Sequence, residues 1–175
     1  LLNLLENLLT YNFEFSFSSI NLNHLTKDII ECLVKSGQNT ITLAPEAGNS
    51  KMLKILNKNI DFDKLFELIK FSVERGIKRL KLYFIYGLAE ETEEDLDDIV
   101  NLVKQIKDIS QISNKPFNLI VSLNPLIPKP NTAFSKREIL RKNILLQKQN
   151  YLKKKIFALG ARLECLSISE AIKQY

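Results

Sequence analysis

Three stretches of the sequence set chemically capable side chains beside turn-forming neighbours. In Ala44-Pro45-Glu46-Ala47-Gly48, a carboxylate on a strand-end turn can accept hydrogen bonds from sugar hydroxyls or a ligand ammonium, and Gly48 permits close backbone approach. Chemistry alone favours an ordinary turn carboxylate at Glu46. In Tyr86-Gly87-Leu88-Ala89-Glu90-Glu91-Thr92, the chain runs toward a helix N-terminus whose free N–H groups can receive an anion or a polar ligand edge, with simple helix capping as the competing account. The third stretch, from Ser122 through Pro125, Pro128 and Pro130 to Thr132, is rigid and irregular enough to wall a channel, although its spacing names no substrate.

Metal chemistry has little to work with. Cys32 and Cys165 stand far apart, no Cys-x-x-Cys occurs, and His24 is the single histidine, so a local zinc site or disulfide framework is not expected. Each cysteine reads as a small buried hydrophobe.

The elements that position these stretches alternate. Phe13-Glu14-Phe15-Ser16-Phe17 has the period of a strand, and a helical pattern follows from Leu25 to Ser36 before Gly37. Thr40–Leu43 predicts a second strand ending at the Glu46 turn, with helical material from Ser50. Asp61 is a good N-cap for a helix whose apolar residues Phe62, Leu65, Phe66 and Ile69 share one face up to Gly76. Leu80–Tyr86 is nearly continuous in apolar character, as expected of a strand covered on both faces. Thr92 caps the next helix, with Glu93, Glu94 and Asp95 in the first turn where the dipole favours anions, so the acidic cluster has a sufficient structural explanation. A strand at Phe117–Leu123, a lysine-rich helix from about Lys136 to Phe157, a short strand at Ala161–Leu166 and a helical tail complete the series.

This order predicts an α/β fold with about five parallel strands and right-handed crossovers in one domain spanning residues 1–175. An eight-stranded barrel usually takes about 250 residues, so a partial (β/α) TIM-like barrel follows, missing its first β-α units. The opening residues Leu4, Leu5, Leu8 and Leu9 begin inside a helical pattern, as expected of part of something larger. Hydrophobic residues make up 45% and charged residues 26% of the 175, which is globular rather than disordered. No stretch approaches the roughly 20 apolar residues of a membrane span, and the cytoplasm is the expected setting. The net charge of +5 is scattered, with one run at Lys153-Lys154-Lys155, and reads as solvated helix surface rather than a nucleic-acid footprint.

Taken together, Thr42-Leu43-Ala44-Pro45-Glu46-Ala47-Gly48-Asn49, Lys81 through Thr92, and Ser122-Leu123-Asn124-Pro125-Leu126-Ile127-Pro128-Lys129-Pro130 resemble, in order, the radical S-adenosylmethionine enzymes. The likeness is greatest to the branch associated with cobalamin-binding-type domains. That resemblance implies S-adenosylmethionine and a [4Fe-4S] cluster as cofactors of the complete enzyme, the cluster being held by a Cys-x3-Cys-x2-Cys loop expected upstream of Leu1. It also implies cofactor-binding roles for Glu46, Gly48, Tyr86, Gly87 and Glu91, with no catalytic residue and no metal ligand in this chain. Four departures stand out: Ala89 replaces a common proline, Asn124 a common serine, Ala133 a common proline after the proline loop, and Asn21, in Ser18-Ser19-Ile20-Asn21, a common arginine. Losing that arginine removes a planar fork suited to a carboxylate, which should weaken cofactor binding. The resulting expectation is a piece inactive alone, either reassembling with a separately encoded cluster-bearing half or left as a remnant, toward which the loss at Asn21 leans. The alternative is a degenerate remnant or a non-catalytic scaffold module.

Overall fold

In the computed structural model, residues 1–112 and 117–173 are described. Helix α1 (Leu2–Thr10) leads through an extended segment and a 3-10 turn at Leu22–His24 to α2 (Lys27–Lys35). Strand β1 (Thr40–Glu46) is followed by α3 (Ser50–Ile55) and α4 (Phe62–Glu74), β2 (Arg79–Tyr86) by α5 (Glu93–Ile112), β3 (Asn118–Pro125) by α6 (Lys142–Ala158), and β4 (Arg162–Cys165) by α7 (Ile168–Lys173). The four strands form one parallel sheet in chain order, with Leu82 of β2 beside Leu43 of β1 and Val121 of β3.

The cap read from the sequence at Asp61 holds, its carboxylate accepting from the Lys64 N–H at 3.0 Å, and Thr26, not singled out from sequence, caps α2. At α5 the Thr92 hydroxyl and the Asp95 carboxylate exchange hydrogen bonds with each other's backbone N–H, a capping box with Asp in the acidic position.

Side chains on β2 and β3 alternate. Leu80, Leu82, Phe84 and Tyr86, with Leu119, Val121 and Leu123, are buried in a core shared with α2, α4, α5 and α6. Each such side chain contributes about 2 kcal/mol through burial. Lys81, Tyr83 and Ile85 are only partly buried, as are Ile120 and Asn124. The apolar run at Leu80–Tyr86 therefore does not mark a strand covered on both faces. Helices pack in sequence along one face, and the other face is polar, carrying Thr42, Lys81, Tyr83, Ser122 and Glu164. Lys81 reaches across β3 to Glu164 at 2.5 Å. One-sided coverage of a parallel sheet is the arrangement of a barrel wall, with the polar face inward.

Two expectations are corrected. Phe13–Phe17 forms no ladder, so the described sheet has four strands rather than five. The Gln38 side chain takes the place of a neighbouring strand there: its Oε1 accepts from the Phe17 N–H at 2.8 Å, and its Nε2 donates to the Phe17 and Thr40 carbonyls. The lysine-rich helix starts at Lys142 rather than near Lys136, because the proline loop continues through short turns around Thr132–Arg137. Among the described residues, no helix is long and apolar enough to cross a membrane.

Candidate functional site

Glu46 ends β1 in an unusual conformation. Its φ is +67°, in the left-handed region that costs a side-chain-bearing residue energy, and the β1–β2 register slips between Leu43 and Glu46. That irregularity turns the carboxylate into a cavity of about 560 Å³. The cavity lies between the Ser18–Asn23 segment, the end of β1, Tyr83 and the Asn57–Ile60 loop. Burial pushes the Glu46 carboxyl above its ordinary value, and Lys58, whose Nζ lies 3.5 Å away, pulls it partly back. Asn21 lines the same cavity, but its side chain caps the 3-10 turn by accepting from the Asn23 N–H at 2.9 Å. The position where an arginine was expected thus contributes a local turn instead of a charge.

The other residues singled out from sequence lie elsewhere. A Cβ on Gly48 would clash with the backbone of Asp98 and Ile99, so the close approach that demands glycine is made to α5. The neighbouring Asn49 donates to Asp95 at 2.9 Å and to Asp98 at 2.7 Å, while Lys51 pairs with Asp95 at 2.6 Å. Burial pushes the Asp95 carboxyl up, but these partners and the Thr92 groups outweigh it and hold the carboxyl well below the usual carboxylate range. The β1 turn is thereby fastened to the first turns of α5 through Asp95 and Asp98, while Glu93 and Glu94 stay exposed.

Tyr86 is fully buried, its hydroxyl accepting from Gln149 Nε2 at 2.9 Å, and its carbonyl accepts from the Leu126 N–H at 2.7 Å. Desolvation pushes its phenol well above the ordinary range. Gly87, at φ +91°, donates its N–H to Glu91 Oε2 at 2.9 Å. Glu91, 2% exposed, also meets Lys148 Nζ at 2.9 Å, and Lys148 donates in addition to the Glu91 carbonyl at 2.7 Å. Burial raises the Glu91 carboxyl, opposed by the Gly87 N–H and Lys148. The structure therefore brings Gly87 and Glu91 together as a pin between the β2–α5 turn and α6. Neither they, nor Gly48 or Tyr86, line the Glu46 cavity. Lys58 was not singled out from sequence; its one visible signal is Asn57, at φ +53°, which turns the chain after α3 and aims the lysine back at β1.

A cluster site does not fit these residues. Cys32 is buried in α2, Cys165 lies on β4, and no group of three or more metal-ligating side chains converges among the described residues.

Residues 2–103 match the family model of the Radical SAM superfamily. An uncharacterized protein of Methanocaldococcus jannaschii is 30% identical over 157 residues, which cover 90% of this chain and 33% of that protein. The chain thus spans about a third of the length of this curated relative. The structure of coproporphyrinogen III oxidase (HemN) from Escherichia coli, described as a Radical SAM enzyme, superposes with a TM-score of 0.61 at 21% identity, covering 90% of this chain and 36% of that one. That likeness shows a shared fold, and the four parallel strands fit part of a radical SAM barrel. With more than half of its length matched in one continuous stretch, the chain belongs to the Radical SAM superfamily.

Proposed function

We propose that this chain supplies part of the S-adenosylmethionine-binding wall of a radical S-adenosylmethionine enzyme whose iron-sulfur cluster is carried by another segment or chain. The observation that carries the reading is Glu46, a side-chain-bearing residue held at positive φ with its carboxylate facing a roomy cavity of mixed polar and apolar lining at the C-terminal end of a parallel strand. Strain of this kind persists only where the surroundings enforce it and clusters at ligand sites.

The residues around the cavity fit the cofactor's polar groups. Glu46 offers acceptors to the ribose diol or the methionine ammonium, Lys58 a cation to the methionine carboxylate, and Asn21, Asn57 and Asn59 neutral donors and acceptors. When bound at a cluster, S-adenosylmethionine supplies a 5'-deoxyadenosyl radical. The part played by this chain's own residues is binding and orientation, and the polar face with Lys81, Tyr83 and Glu164 supports that reading by offering charged and hydroxyl groups to a polar substrate. Membership of the cobalamin-associated branch belongs to the same proposal, on the strength of the three sequence motifs alone.

The test is equilibrium binding of S-adenosylmethionine by the chain mixed anaerobically with a reconstituted cluster-bearing half, with 5'-deoxyadenosine release measured in parallel. Product release from the mixture and not from the chain alone is expected, with E46Q weakening binding about tenfold, the effect of one charge-assisted hydrogen bond. Equal affinity of E46Q and the parent chain would remove Glu46 from the site.

A further inference from the structure

The two flanks of α6 differ in how their cations are met. On the flank toward α5, Lys148 pairs with Glu91 and Lys155 with Asp97, while Arg137, just before the helix, pairs with Glu90. On the flank toward β4, Lys153 and Lys154 have no carboxylate partner among the described residues. Lys153, Lys154, Phe157, Leu163 and Cys165 together line a recess of about 540 Å³. Phe157 is 76% exposed there, and Leu146 and Leu166 add further exposed apolar surface on the same side of α6 and just past β4.

The recess runs along an open ladder. β4 is the edge strand of the sheet, and the Leu166 N–H goes inward to the Leu123 carbonyl at 3.4 Å. By the alternation of a strand, the N–H groups of Leu163 and Cys165 point outward, away from β3. Unpaired strand groups, bare apolar side chains and unmatched lysines thus occur side by side. Each lacks a different kind of partner, and one kind of partner supplies all three.

From this juxtaposition we infer that the β4 edge and the adjoining flank of α6 form a docking seat for an acidic, apolar polypeptide segment that adds to the sheet as a further strand. Its main chain pairs with the outward groups of Leu163 and Cys165, its apolar side chains cover Phe157, and its carboxylates meet Lys153 and Lys154. Nucleic acid would answer the lysines and stack on Phe157, but it would leave the strand groups of β4 unpaired, which favours a polypeptide occupant.

The test titrates the full chain separately with acetyl-(Val-Glu)4-amide, its (Val-Lys)4 counterpart and an oligouridylate, reading hydrogen exchange at Leu163 and Cys165 and the alkylation rate of the Cys165 thiol. The acidic peptide is expected to slow exchange and alkylation at these positions, and K153E/K154E to weaken its binding about tenfold. F157S, at a side chain outside the core, is expected to weaken it without altering the far-ultraviolet circular dichroism. The lysine peptide should do nothing. Protection by the oligouridylate but not by the acidic peptide, equal protection by both peptides, or no protection at all would overturn the proposal.

Discussion

At the scale of single residues, strain and close approach separate the two members of the Ala44–Gly48 turn. Gly48 is required by packing against α5, so Gly48→Ala forces the helix backbone to move and is expected to cost about 2 kcal/mol in urea unfolding. A loss of that size without any S-adenosylmethionine present marks the glycine as structural. Glu46 behaves differently because burial raises its carboxyl in the folded chain. The folded state then holds the proton more tightly than the unfolded one, so this contribution to stability is complete below the ordinary carboxyl value and fades as pH climbs through the raised one. In thermal melts from acid to neutral pH, E46Q should show a shallower decline than the parent chain. An unchanged slope would count against burial as the cause.

Among the elements, the joint between β2, α5 and α6 depends on one buried ion pair. Lys148→Met leaves the Glu91 carboxylate without its cation, and a loss of roughly 3 kcal/mol is expected by denaturant unfolding, with E91Q/K148M losing less because no buried charge remains. If the double variant were as damaged as the single one, the pair itself rather than the orphaned charge would be holding the turn. This joint also shows what sequence could convey. The Thr92 cap, the Asp61 cap and the apolar face of the helix after Asp61 are local patterns, and they stand where they were read. Phe13–Phe17 has the alternation of a strand as well, but a ladder needs a neighbour in register, and alternation carries no information about one. Lys58 was illegible for the same kind of reason: Asn57-Lys58-Asn59 looks like ordinary surface until tertiary folding carries it to Glu46. Glu91 was legible as part of a motif but not as a pin, since its partner Lys148 comes from a helix far along the chain.

For the whole molecule, exposed large apolar side chains are concentrated at the two ends of the helix row. Leu1, Leu4, Tyr11 and Phe13 lie at the α1 end, and Leu146, Phe157 and Leu166 at the α6 end. Self-association should therefore run end to end, and L4K/F157K is expected to stay dispersed in light scattering at concentrations where the parent chain associates. A matched pair of lysines placed on the outer surface of α4 should not have that effect; if it did, net charge rather than the bare ends would be responsible. The fold class was legible at this scale because β-α alternation constrains topology strongly, whereas the number of strands was not, since it depends on which edges find partners.

The Gln38 amide is the feature with the widest reach. A primary amide presents one donor group and one acceptor in the same geometry as a peptide unit, and here it closes the β1 side of the sheet at Phe17 and Thr40. Next to it the Ile20 N–H donates to the Thr42 carbonyl at 3.3 Å, so the edge is held shut by one side chain and one main-chain link rather than by a full ladder. A strand arriving at β1 would therefore have both links to displace before its main chain could pair there.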